Sequence, residues 1–145
     1  MKLRNLFLAG FLISLGIANA SEITLPSGSA IPVVVTIGTS VGQFESVWDA
    51  PIFLKITNGK LENCSAVALI RANWSTNKAN AKVARLQCKS GNEIKGFDMQ
   101  GWIVDSDNKA GIHNGSNSNE IMNVNAGIKA QIILSKLLTI NIESK

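Results

Sequence analysis

The residues of this chain that could carry chemistry are few and far apart. His113 is the only histidine, and a serine or cysteine nucleophile needs a base of that kind within hydrogen-bond reach. It lies among glycine and asparagine residues, where an exposed, non-catalytic histidine is the simpler interpretation. The acidic residues show no pairing suited to general acid–base catalysis, and there is no phosphate-binding loop and no zinc-ligand spacing. The sequence therefore argues against an enzyme and predicts no cofactor and no metal.

One short segment has a weak likeness to a calcium-binding loop. Asp105, Ser106, Asp107 and Asn108 offer oxygen ligands at successive positions, and alternating oxygen ligands can wrap a calcium ion. The pattern then fails, because Lys109 stands where a further ligand belongs and no glutamate follows at the required distance. A tight turn between two strands explains the segment better.

The two cysteines, Cys64 and Cys88, are the strongest chemical signal. An even count indicates a disulfide in an oxidising compartment, and two free buried thiols are the alternative. A metal site would need more ligands than the chain's histidine supplies. We expect the disulfide, which would stabilise the fold by about 3–4 kcal/mol on chain-entropy grounds.

Residues 1–20 have the layout of a secretory signal peptide. Lys2 and Arg4 give a positive start, an apolar stretch follows, and Ala18 and Ala20 precede Ser21 at a small-residue cleavage site. A retained membrane anchor is the alternative, but a spanning helix needs about 20 apolar residues, and this stretch is shorter. We expect cleavage after Ala20 and a mature protein outside the cytoplasm.

The charge of the mature part identifies no partner. The chain has 14 basic and 10 acidic residues, so that removal of Lys2 and Arg4 leaves 12 basic residues and a net charge of +2. No long run of one sign occurs, and binding to nucleic acid is not predicted. The length that remains is typical of one domain.

Residues 21–120 predict a small β-barrel or sandwich of short antiparallel strands. Residues 31–37 are rich in β-branched residues, and Pro32 suits a sheet edge or the beginning of a strand. Residues 51–57 form a second strand before a strong turn dipeptide. Residues 64–74 and 79–88 form a hairpin with both cysteines at its open end, although the apolar residues of its second strand fall on two different faces.

The tail, residues 121–145, has a different pattern. The segment from Ile121 to Ile142 is largely apolar, and its spacing favours an amphipathic helix over a pair of strands. The sequence does not decide whether this helix packs against the core or contacts a membrane. The predicted fold class is therefore all-β with a C-terminal amphipathic helix.

Candidate interface residues are Pro32 and the three tryptophans, Trp48, Trp74 and Trp102. Buried aromatic anchors of cores and interfaces are commoner than tryptophans that serve as a ligand platform. We therefore assign these residues to contacts with the core or with a partner.

Six stretches, taken in order and spacing, resemble the C-terminal β-barrel region of the TraB/VirB10-like proteins of conjugation and type IV secretion. The stretches are 25–29 (LPSGS), 50–56 (APIFLKI), 64–88, 95–97 (KGF), 101–105 (GWIVD) and 109–112 (KAGI). No single motif among them is specific.

The resemblance implies a role in assembly. Members of that family form an outer-membrane core ring from many copies of the barrel and contact VirB9/TraK-like and VirB7/TraV-like proteins. They also carry an inner-membrane helix, where this chain is expected to have a cleavable leader. The segment from Ile121 to Ile142 stands where the family inserts helices that reach the outer membrane, so the resemblance adds outer-membrane contact to the open roles of this segment and implies that the final barrel strands are missing.

The leading hypothesis is a periplasmic assembly component of a conjugative or type IV secretion apparatus that forms homo-oligomers and associates with the outer membrane. Edge strands beside Pro32 and the exposed faces of the hairpin would be its contact surfaces. The alternative is an exported barrel that binds a small molecule or carbohydrate in a pocket lined by Trp48, Trp74 or Trp102.

Overall fold

The structure is a computed structural model that describes residues 20–42, 50–57, 59–113, 117–118 and 121–143. These residues form β-strands, turns and loops and contain no helix. The strands are β1 (Ala20–Leu25), β2 (Ala30–Ile37), β3 (Thr39–Gly42), β4 (Ala50–Ile56), β5 (Cys64–Asn73), β6 (Lys78–Ser90), β7 (Glu93–Phe97), β8 (Gly101–Val104), β9 (Ile112–His113), β10 (Asn117–Ser118), β11 (Ile121–Val124), β12 (Lys129–Leu134) and β13 (Leu138–Glu143).

Six antiparallel strands close into a barrel in the order β5-β4-β2-β12-β8-β6, and β6 pairs again with β5. The predicted all-β class is thus confirmed. The boundaries between strands differ greatly in extent. β5 and β6 share ten register pairs, whereas β6 and β8 meet through the pair Lys82–Trp102.

The barrel interior is filled by apolar side chains from all six strands. Side chains alternate across a strand, and accordingly Val33 and Val35 of β2 and Ile52 and Leu54 of β4 point inward and are buried. Burial of each such side chain contributes about 1.5–3 kcal/mol. The strands are therefore held by a packed core, which leaves their outer faces for other contacts.

Two smaller sheets pack against the same core. β1 pairs with β13, and β11 lies between β10 and β3. Ile23 and Ile140 of the first sheet and Val41 and Met122 of the second are buried in the common apolar cluster.

The β5–β6 hairpin is confirmed, together with its disulfide. Cys64 pairs in register with Cys88, and the two are joined by a disulfide. A register shift explains the two apolar faces predicted for β6: Val67 pairs with Arg85, but the next residue, Ala68, pairs with Val83. The extra residue of β6 between these two pairs forms a β-bulge. It shifts the inward–outward alternation of the strand by one residue, so that the apolar residues before and after the bulge all face the core.

The predicted C-terminal helix is wrong. The segment from Ile121 to Ile142 forms β11, β12 and β13, and β12 inserts between β2 and β8 in the barrel. Ala130, Ile132 and Leu134 alternate inward and are buried. The helical prediction depended on other spacings, such as Ile128 to Ile132, and pairing of the segment with β2 and β8 decides for a strand. The expectation that the final barrel strands are missing is corrected at the same time.

The edge-strand position expected beside Pro32 is also wrong. β2 is paired on both sides, with β12 and β4. Pro32 is the third residue of the strand, and the pairing with β4 starts one residue later, at Val33. The Pro32 carbonyl accepts a hydrogen bond from the Thr57 N–H at 3.1 Å, and its missing N–H removes a bond only at the end of the β2–β4 ladder, where the loss is tolerated. The alternative part of the prediction, a position near the beginning of a strand, is confirmed.

Residues 1–19, with Ala18, and Trp48 lie outside the described residues. Ala20 and Ser21, which flank the predicted cleavage point, are the first two residues of β1. Within the described part of the chain, no helix is long and apolar enough to cross a membrane.

Candidate interaction surfaces

The loop after β8 is a hydrogen-bonded turn held by a buried lysine. The Asn108 N–H donates to the Asp105 carbonyl at 2.9 Å, and the Asp105 N–H donates to the Lys109 carbonyl at 3.0 Å. Asn108 adopts a φ of 63°, a left-handed conformation that asparagine tolerates well. The turn predicted for this segment is therefore present.

Lys78 of β6 supplies the positive charge at this loop. Its ammonium group donates to both carboxylate oxygens of Asp107 at 3.0 Å and lies 4.0 Å from the carboxylate of Asp105. Lys78 and Asp105 are both buried. These hydrogen bonds, together with one from the Lys109 N–H, lower the pKa of Asp107. We call Lys78, Asp105 and Asp107 the lysine clip.

The outer faces of the strands carry a different surface. One row of outward side chains crosses the barrel from Pro51 through Leu69, Lys82 and Trp102 to Ile133. These five residues come from five adjacent strands, and all but Lys82 are apolar or aromatic. Trp102 is 44% exposed. The structure therefore places this predicted interface residue on the barrel exterior.

A second outward row lies beside the first. Ile37, Phe53, Val67 and Arg85 pair in register from β2 to β6. Ile37 is 58% exposed and Phe53 is 39% exposed, values that are high for large apolar side chains. The two rows together form a continuous outer surface of aromatic, aliphatic and basic residues.

Basic residues surround and interrupt the two apolar rows. β4, β5 and β6 contain six basic residues and no acidic one. Lys78 is buried, and the other five are exposed; they are Lys55, Arg71, Lys82, Arg85 and Lys89. We call the outward side of β4, β5 and β6, with Trp102 beside it, the basic face.

Trp74 has a different environment from Trp102. It lies in the turn of the β5–β6 hairpin and is partly buried against the core, with an indole nitrogen that is buried and has no hydrogen-bond partner among the described residues. The structure thus separates these two predicted interface residues instead of assembling them into one site.

Three of the grooves on the surface of the described residues bear on ligand binding. The first, of about 470 Å³, lies between β2, β12 and the loop after β8 and is lined by Pro32, Asp105, Ser106, Lys129 and Gln131 among others. The second, of about 480 Å³, lies beside the disulfide, and the third, of about 240 Å³, lies where Pro32 faces Leu61. Neither Trp74 nor Trp102 lines any of them.

No local sequence pattern predicts the lysine clip, and the overall charge balance does not indicate the basic face. A buried lysine depends on a carboxylate that arrives 29 residues later, so no local pattern marks it. The basic face had a usable signal, since an alternating strand places Lys82 and Arg71 opposite the buried alanines and isoleucines. Among the described residues, no cluster of histidine, cysteine or acidic side chains could hold a metal ion.

Comparison with known proteins adds no family assignment. No protein-family model matches the chain, and no curated protein matches it significantly. The disulfide is consistent with an oxidising, extracytoplasmic compartment.

Proposed function

We propose that the protein is a periplasmic assembly component of a conjugative transfer or type IV secretion apparatus, which acts by protein–protein contact and forms homo-oligomers. Its partners would be of the VirB9/TraK and VirB7/TraV types. The fold supports this reading, because the resemblance implies a β-barrel and three of the six stretches that carry it fall on barrel strands. Residues 50–56 are β4, residues 64–88 lie in the β5–β6 hairpin, and residues 101–104 are β8.

One observation carries the proposal: the outer edge of β7 is open. β7 pairs with β6 over five register pairs, and no described strand lies on its other side. Ile94, the second residue of β7, is 70% exposed. An unpaired edge of this kind is a template for a strand from another chain. β7 thus replaces the Pro32 region as the contact edge.

A proline at position 94 tests the role of this edge. The hairpin between β6 and β7 closes on the pair Ser90–Glu93, so strand alternation directs the N–H of Ile94 away from β6. Ile94→Pro therefore removes a donor from the open edge and leaves the β6–β7 ladder intact, while Ile94→Thr keeps the donor and serves as the matched control.

The measurement is the size and composition of the protein after gentle extraction from the cell envelope. We expect a large assembly with secretion-core partners for the wild type and for Ile94→Thr, and a loss of that assembly for Ile94→Pro. A lone monomer in the wild-type extract contradicts the proposal. Transfer genes beside its own gene would support it independently.

A second candidate function, binding of a small molecule or carbohydrate, is favoured by the first groove. Its volume of about 470 Å³ lies in the range of ligand pockets, and Asp105, Ser106, Lys129 and Gln131 offer polar groups there. The tryptophan lining expected for such a pocket is not found at Trp74 or Trp102. Binding of a ligand by the monomer, lost in Gln131→Ala, would favour this function over assembly.

A further inference from the structure

The basic face has a charge that the rest of the chain does not share. Its three strands hold six of the 14 basic residues and none of the 10 acidic ones, so the remainder of the sequence is net acidic. Five of the six basic side chains are exposed on one side of three adjacent strands. This arrangement produces a local positive potential on a protein with little net charge.

Large apolar side chains lie within the same face. Phe53 and Trp102 are 39% and 44% exposed, and Ile37 at its border is 58% exposed. Val67 and Leu69 connect them along β5 and are half-buried. Trp102 stands opposite Lys82, so an aromatic ring and an ammonium group occupy neighbouring positions. Aromatic and basic side chains together are typical of residues at a membrane–water interface.

The placement of the lysines favours a lipid surface over a protein partner. The cores of protein–protein interfaces are depleted of lysine, yet Lys82 lies in the middle of this face, between Leu69 and Trp102. An anionic bilayer attracts lysine and arginine alike, and each such residue near the surface adds to the attraction.

Most described apolar side chains of the segment from Ile121 to Ile142 point into the core of this fold, as Ile132, Leu134 and Ile140 do. Leu137 of this segment is 60% exposed, but the basic face is where exposed aromatic, aliphatic and cationic side chains occur together. We propose that the basic face binds the surface of an anionic phospholipid bilayer. Headgroup phosphates would meet the lysines and arginines, and Phe53 and Trp102 would enter the interface. This goes beyond the assembly function and does not depend on it.

Two triple variants with equal charge changes test the proposal. Lys55→Gln/Lys82→Gln/Lys89→Gln removes three charges from the basic face. Lys60→Gln/Lys109→Gln/Lys136→Gln removes three from exposed lysines elsewhere. All proteins must have the same N-terminus, verified by mass, so that residues 1–19 contribute equally. Binding is measured by flotation with vesicles of phosphatidylcholine alone and of phosphatidylcholine with phosphatidylglycerol.

We expect the wild type to bind the phosphatidylglycerol vesicles at low salt and to be released at high salt. The face variant should bind roughly a hundredfold more weakly, and the control variant should bind within about threefold of the wild type. Equal losses of vesicle binding in the face variant and the control variant would show an effect of net charge alone and overturn the proposal. Binding of the wild type to both kinds of vesicle alike would also overturn it.

The fluorescence of Trp102 provides a second readout. If the ring enters the interface, mixing with phosphatidylglycerol vesicles should shift the fluorescence emission to shorter wavelengths. This shift should be absent in Trp102→Phe, a substitution at an exposed position that the fold tolerates. A shift retained in Trp102→Phe argues against this face. Self-association that is lost in the face variant, with vesicle binding unchanged, would assign the face to a second copy and refute the lipid proposal.

Discussion

Lys82 of β6 and Trp102 of β8 lie opposite each other on the outer surface, and this is the single register pair through which the two strands meet in the described structure. On its other side, β6 is joined to β5 by ten pairs. β6 is therefore joined to β5 by a long ladder and to β8 by a short one, and the barrel closes through both.

Hydrogen exchange should reveal this difference. Amide protons of residues 80–83 that face β8 should exchange faster than those that face β5, because the boundary with fewer pairs opens at a lower free energy. The rates can be measured residue by residue by NMR at neutral pH. Equal protection on both sides of β6 would contradict the interpretation.

The disulfide should contribute a large part of the stability. Cys64→Ala/Cys88→Ala is expected to lower the free energy of unfolding by about 3 kcal/mol, since it removes a cross-link that restricts the unfolded chain. Alanine keeps the two positions apolar, which suits their burial. Urea denaturation of the variant and of the oxidised and reduced wild type measures the effect. A reduced wild type as stable as the oxidised form would refute this expectation.

The lysine clip should hold the loop after β8. Lys78→Met removes the ammonium group that bonds both carboxylate oxygens of Asp107 and lies beside the buried Asp105. The substitution should lower the free energy of unfolding by about 2 kcal/mol. Lys82→Met, at an exposed position of the same strand, should change stability by less than about 0.5 kcal/mol. Similar losses in the two variants would mean that the clip contributes nothing specific.

The clip should also make stability depend on pH. The hydrogen bonds from Lys78 hold the pKa of Asp107 below its ordinary value of 3.8. A carboxyl group with a lowered pKa in the folded state stabilises the fold above its unfolded pKa, and that contribution is lost as the pH falls through the folded pKa. Asp107→Asn should therefore be less stable than the wild type at pH 7, and the difference should shrink between about pH 5 and pH 2. A constant difference across this range would contradict the assignment.

Two glycines provide a matched pair for backbone contacts. A Cβ at Gly38 would collide with the backbone carbonyl of Val124, whereas a Cβ at Gly96 would meet the guanidinium of Arg85, the mobile end of a long side chain. Gly38→Ala should therefore lower the midpoint of thermal unfolding by several degrees, and Gly96→Ala should have little effect. The reverse order would mean that the strands at Val124 can separate more easily than their geometry indicates.

The sequence predicts those elements whose partners lie close by in the chain. The β5–β6 hairpin follows from two strands, one turn and two cysteines, and its register agrees with that expectation down to the pair Cys64–Cys88. The bulge beside Arg85 could be suspected only from apolar residues on both faces of β6. That observation was a signal of a register shift.

The tail could not be assigned in the same way. Ile132 pairs with Ile31 on one side and with Ile103 on the other, and neither neighbour lies near it in the sequence. A short apolar run has no preference of its own between helix and strand. The choice depends on two strand edges that form elsewhere. Gly127, with a φ of 96°, marks the turn before β12 and is a local sign against a continuous helix.

The place of β12 between β2 and β8 has a consequence for the order of folding. A polypeptide emerges from the ribosome with its N-terminus first, so β2, β4, β5 and β6 can associate early through neighbouring contacts. The barrel cannot close until residues 129–134 have also emerged, because β12 joins β2, at one end of the early sheet, to β8, which adjoins β6 at the other end. Closure is thus a late, long-range event, and the chain stays in an open, unclosed form for most of its synthesis.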